Sequence, residues 1–119
     1  MSGPPVFEAR VFRELCDEIG LEDTLTVLAR FLADAAADMP SPEAADFPAA
    51  LRRHAHALKG TAATFGFLRL AETARDVERR AAASQEADLG AARARLVSAF
   101  EECVVVARRL SHGGAAADV

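Results

Sequence analysis

The chain has 119 residues, a formal net charge of −4 and 51% hydrophobic residues, with no Trp and no Tyr. This is the length of one domain, and such a domain buries enough surface to hold a core without disulfide or metal staples. The acidic balance, with no long Lys/Arg run against it, argues against general nucleic-acid binding. No apolar run approaches the ~20 residues that would cross a bilayer.

Ala, Leu, Arg and Glu dominate, and strand-favouring β-branched and aromatic residues are sparse, so the composition points to an all-α fold. Met1 to Pro5 carry neither a basic segment nor an apolar run of the secretory kind, and a cytoplasmic protein is expected. Cys16 and Cys103 have no metal-type spacing and fall on apolar positions of helical patterns, which predicts two buried free thiols.

In chain order, Pro4-Pro5 precede a first helix of about residues 7–19, carrying Phe7, Val11, Phe12, Leu15 and Ile19, and Gly20 ends it. A second, about 21–38, carries Leu21, Leu25, Leu28, Leu32 and Ala35 before Pro40 and Pro42 forbid continuation. A third, about 44–65, carries Leu51, Ala55, Leu58, Ala62 and Phe65 up to Gly66. A fourth, about 67–83, carries Phe67, Leu70, Ala71, Ala74 and Val77. A polar stretch from Ser84 to Glu86 leads to a fifth, about 88–111, with Leu89, Leu96, Phe100, Cys103, Ala107 and Leu110. The expected architecture is an antiparallel four-helix bundle with a short additional N-terminal helix as a side brace. Residues 1–111 form this one domain, and 112–119, rich in Gly and Ala, are expected to fray as a flexible tail.

Helical bundles host many unrelated roles, so function has to come from particular residues. The informative segment runs from Arg52 to Gly66. At ~100° per residue the stripe from Leu51 to Phe65 must face the core, and His56 lies roughly 140° from Leu51, on the solvent side. Arg52 and Arg53 precede it by one turn, Lys59 and Gly60 follow by one turn, and Ala63 by two. Gly60 inside a helix costs ~1 kcal/mol relative to Ala, and one compensating use is access: a missing side chain lets another backbone approach the imidazole. His54 sits about 60° from the core stripe on the other flank and is expected to pack its ring against the second or fourth helix. A His two residues from another on a helix does not converge with it on a metal. His112, beside the glycine pair, is expected to be a mobile end residue.

The run from His56 through Leu58, Lys59, Gly60 and Ala62 to Gly66 resembles the signature of the histidine-containing phosphotransfer (HPt) domain family: His, any, apolar, Lys, Gly, any, small, three of any type, Gly. The opening stretch from Val6 to Gly20, then Leu28 to Leu32, is similar to the family's first helices, with Glu8 where Asp is common; the likeness spans about residues 6–110. It implies that His56 accepts and donates a phosphoryl group and that Lys59 stabilises it. It implies that Gly60 makes room for the partner's loop, with Arg52, Arg53 and Ala63 around it as docking residues, and that Gly66 marks a turn or close approach between the third and fourth helices. The implied partners are response-regulator receiver domains, with a hybrid histidine kinase as a further candidate, and the implied state is a monomer. The family brings no cofactor of its own; the receiver supplies the aspartate and Mg²⁺. Arg69, Arg75, Arg79 and Arg80 on the fourth helix read as a solvated, salt-bridged face.

Two alternatives remain in view. A helical adaptor that binds a signalling partner without phosphorylation has no use for an imidazole exposed beside a helix glycine. A kinase dimerisation fragment places an acidic residue directly after the His and a proline soon after, where this chain has Ala57, Leu58 and Lys59. No Gly-rich phosphate loop of the P-loop type is present either. The chain reads as a phosphocarrier and not as an enzyme.

Overall fold

The computed structural model describes residues 3–83 and 89–112, and they contain five helices and no strand. These are α1 (Ala9–Ile19), α2 (Leu21–Ala37), α3 (Phe47–Phe65), α4 (Leu68–Ala82) and α5 (Leu89–Ser111). The expected tail lies outside the described residues from 113 onward; His112 is exposed and its N–H closes the last turn on the Arg109 carbonyl.

Helices α2 to α5 pack in a closed ring: α3 chiefly on α4, α4 on α5, α5 on α2 and α2 on α3. Two ion pairs fix the α4–α5 direction. Arg69 meets Glu102 and Asp76 meets Arg95, so seven residues forward along α4 the partner lies seven residues back along α5. Arg93, early in α5, donates to the Pro40 carbonyl just past the end of α2, which sets those two helices antiparallel as well. The α1 helix braces the ring from outside, against α2 and α3.

The stripe predicted for α3 is the centre of the core: Leu51, Ala55, Leu58, Ala62 and Phe65 are all buried, facing Leu70, Ala74 and Val77 of α4. Each fully buried Leu or Phe is worth ~1.5–3 kcal/mol, and alanines at the closest approaches let the backbones draw near. The brace is held by aromatic contacts, Phe7 lying 5.7 Å from Phe12 and 5.4 Å from the fully buried Phe67.

Three expectations need correction. Helix α3 begins at Phe47, not near 44, because Pro48 fits only a first helical turn; residues before it form turns closed by Ala44 N–H on Ser41 and Phe47 N–H on Ala44. Ile19 and Leu21 are exposed, since Gly20 at φ 92° swings the chain from α1 into α2 and turns its neighbours outward. Cys103 is buried and free, its thiol pushed up to about 12 by desolvation, whereas Cys16 is free but only half-buried.

The α3–α4 junction positions everything that follows. Gly66 adopts the left-handed conformation at φ 93°, with its N–H on Ala63 and the Phe67 N–H on Ala62, a Schellman-type stop. The turn expected at this glycine between α3 and α4 is present, and its close approach is to the segment before α1. The Glu8 N–H donates to the Gly66 carbonyl at 2.8 Å, and a Cβ on Gly66 would stand 2.6 Å from the Glu8 oxygen.

Candidate functional site

Core burial of the α3 stripe leaves a ribbon of that helix in solvent: Arg52, Arg53, His56, Ala57, Gly60 and Ala63 are all exposed. His56 shows 67% of its side chain. A Cβ added to Gly60 would meet nothing within 4 Å, so internal packing does not require the glycine. Its effect is to leave a gap on the surface one turn beyond the imidazole.

One member of the site lies outside the α3 motif. Glu78, on α4, faces His56 across the helix pair. The Nδ1 atom of His56 lies 2.7 Å from Glu78 Oε2, and Lys59 Nζ donates to Glu78 Oε1 at 2.7 Å. Glu78 is only 19% exposed and ionised, its pKa held below the ordinary carboxylate range first by the Lys59 hydrogen bond and then by that of His56, against some desolvation. A carboxylate can only accept, so the His56 nitrogen facing it must carry the proton. In the neutral ring that is the Nδ1–H tautomer, which puts the lone pair on Nε2; Nε2 has no partner among the described residues. The imidazole is thus oriented through one nitrogen and open at the other.

Lys59 is therefore not a loose cation on the solvent face. It is about one-third exposed and committed to Glu78. Arg52 and Arg53 line a hollow together with His56 and Glu78. Arg53 reaches back to Asp46 at 3.4 Å, whereas Arg52 makes no ion pair or hydrogen bond among the described residues. Ala63 extends the exposed ribbon two turns on.

His54 has the opposite surroundings. It packs against α2, not α4, in a cleft with Phe31, Ala35 and Asp38, and its Nε2 is sealed from solvent with no hydrogen-bond partner. Burial pushes its pKa down, partly opposed by the nearby Asp38 carboxylate. On α4 three of the four arginines form the expected salt-bridged face: Arg69 pairs with Glu102, and both Arg79 and Arg80 pair with Asp76, whereas Arg75 is exposed and makes no ion pair among the described residues. Asp76 is held below its ordinary pKa chiefly by the Arg80 hydrogen bond.

Glu78 had a weak signal in the sequence. It follows the core residue Val77 and lies twelve residues past Gly66, while His56 lies ten before it. In two helices folded back at Gly66 those positions fall nearly opposite each other, but a side-chain pairing depends on a register that periodicity alone does not supply.

Among the described residues no group of three or more His, Cys, Asp or Glu could hold a metal ion, and no helix is long and apolar enough to cross a membrane. No curated protein and no solved structure matches the chain significantly. A family model, that of the Hpt domain, matches residues 10–109 and so takes in the whole of the His56–Lys59–Glu78 constellation: the chain belongs to the Hpt domain family, whose members are phosphocarriers of two-component signalling.

Proposed function

We propose that this chain is a phosphorelay intermediate that takes a phosphoryl group onto His56 Nε2 from the aspartate of one response-regulator receiver domain and delivers it to another. The observation that carries this is the held and open pair of ring nitrogens: Nδ1 on a buried-side carboxylate, Nε2 free toward solvent.

The chemistry follows from that arrangement. The Nε2 lone pair attacks the phosphorus of an aspartyl phosphate in line with the bond that breaks, and the aspartate carboxylate departs with the P–O electron pair. The ring gains positive charge as the N–P bond forms. The Nδ1 proton stays on the ring, and Glu78 stabilises that charge as the Asp of a carboxylate–histidine pair does in hydrolases. Return transfer runs the same steps backward: a carboxylate attacks the phosphorus, the N–P bond breaks, and the imidazole of His56 departs with the electron pair as a good leaving group. Lys59 keeps Glu78 ionised and in place. Ala57, Gly60 and Ala63 give the receiver's loops a low surface to approach, and the receiver brings the Mg²⁺ that neutralises its own acidic site. The protein works in the cytoplasm as a monomer, with receiver domains or a hybrid kinase that carries one, and needs no cofactor of its own.

Incubation with a ³²P-labelled receiver from the same cell should yield acid-labile label on the protein, none on the His56→Gln variant, and none on any form given ATP alone. Label that survives in His56→Gln, or self-labelling from ATP, overturns the assignment.

A further inference from the structure

We infer that Arg52 is the residue that grips the transferred phosphoryl group, and that Lys59 acts behind the imidazole as the positioning partner of Glu78. This rests on the carrier reading above and divides its cations between two tasks.

The starting point is charge. Before transfer, the Glu78 carboxylate is matched by the Lys59 ammonium at 2.7 Å. A phosphoryl group adds roughly two negative charges. It would arrive on the same ring that Glu78 holds, so the site needs a further cation or it repels its own cargo. Lys59 has further N–H donors, but its single positive charge is already matched to Glu78, whose pKa it chiefly holds down, so it cannot also neutralise a dianionic phosphoryl. Arg53 already leans on Asp46. Arg52 is exposed, has no partner among the described residues, and lines the hollow whose other walls are His56, Glu78 and Arg53.

Helix geometry agrees. A helical side chain covers the turn N-terminal to its own Cα, so the His56 ring lies over the turn that carries Arg52 and Arg53, and all three line one hollow with Glu78. A guanidinium also suits the task better than an ammonium, because its planar fork can donate two parallel hydrogen bonds to phosphoryl oxygens. As the N–P bond forms, that fork takes up negative charge on the equatorial oxygens while Glu78 offsets the positive charge on the ring.

The test uses phosphoramidate, a small donor with no docking surface. Nε2 attacks its phosphorus, the P–N bond breaks and ammonia leaves. Phosphorylation of the full chain is followed by ³¹P NMR for wild type, Arg52→Gln, Arg52→Lys and Arg53→Gln, and the same variants are assayed with a phosphorylated receiver. Arg52→Gln should slow both donors about tenfold, Arg52→Lys should recover part of the loss, and Arg53→Gln should change phosphoramidate labelling little. The second pKa of the bound phosphoryl group should rise in Arg52→Gln, which a purely structural residue would not cause. If Arg52→Gln slows only the receiver reaction, Arg52 is a docking residue and the inference is wrong; an equal or larger loss in Arg53→Gln moves the grip to that residue. A wild-type protein unlabelled at His56 by either donor sinks the carrier role itself, which is a separate failure from labelled wild type with unaffected Arg52→Gln.

Discussion

His54 and His56 stand two residues apart on one helix, and the bundle treats them in opposite ways. On the α2 side, His54 is wedged into a cleft with Phe31 and Ala35, and its Nε2 is cut off from water without a partner. On the α4 side, His56 is two-thirds exposed, and a carboxylate holds the nitrogen nearer the protein. The chemical groups are identical. What differs is which neighbouring helix lies beside each and what that helix presents: a largely apolar cleft edged by Asp34 and Asp38 from α2 and its C-cap, a lysine-anchored glutamate from α4. A nucleophile is made here by orientation through one nitrogen and exposure of the other, and burial of a histidine works against it by disfavouring its charged form.

The sharpest way to break the contrast is to remove the charge behind His56. Glu78→Gln keeps the shape and an acceptor oxygen but loses the carboxylate that selects the Nδ1–H tautomer. Transfer should fall roughly tenfold or more, in the range seen when carboxylate partners of functional histidines are changed. NMR of the ring nitrogens should show the two tautomers mixing. Unchanged transfer would mean that the Glu78 contact orients nothing of consequence.

Next in size is Gly60→Leu, whose two effects should carry opposite signs. Leu is a far better helix former, and since a Cβ at this position meets no neighbour, the fold should gain up to about 1 kcal/mol in urea unfolding. Transfer from a receiver should nevertheless slow several-fold, because the side chain fills the gap beside the imidazole. A variant that is both more stable and equally fast would show that the gap serves no partner. Lys59→Ala should cost less, up to about fivefold, the worth of a part-exposed ion pair. Its loss should also raise the pKa of Glu78, so the deficit should widen as pH falls toward the ordinary carboxylate value of 4.5.

The contrast between the two histidines was only half legible in the sequence. The Leu51-to-Phe65 stripe has an unbroken helical period, so it placed α3 against the core and His56 outside it, as found. The motif around Lys59 and Gly60 is local and needs no knowledge of neighbouring helices. Glu78 could not be read in the same way, since its link to His56 spans twenty-two residues and depends on how Gly66 folds α4 back on α3. Lys59 shows the same limit: by local spacing it faces the imidazole, and its ammonium donates to the cross-helix carboxylate. The start of α3 and the exposure of Ile19 and Leu21 were missed because proline and glycine geometry at helix ends overrode the apolar pattern.

The smallest predicted effect tests the other side of the comparison. His54→Gln should leave phosphotransfer unchanged, since the ring lies away from the site. Its consequence is for stability against pH. The folded pKa of His54 is lowered from 6.5 by burial. Between that lowered value and 6.5 the unfolded chain binds a proton that the folded one does not, so wild-type stability must fall as pH drops below about 6.5 and flatten once the folded group also protonates. The Asp38 carboxylate limits the loss by attracting the imidazolium, while Asp34, which also lines the cleft, pairs with Arg30. Urea midpoints for wild type and His54→Gln should therefore draw together or cross as pH falls from 7 toward 5, with the wild type losing ground. Parallel curves over that range would mean His54 titrates normally in the folded protein, and the two flanks of α3 would then differ in neighbours but not in what those neighbours do to a histidine.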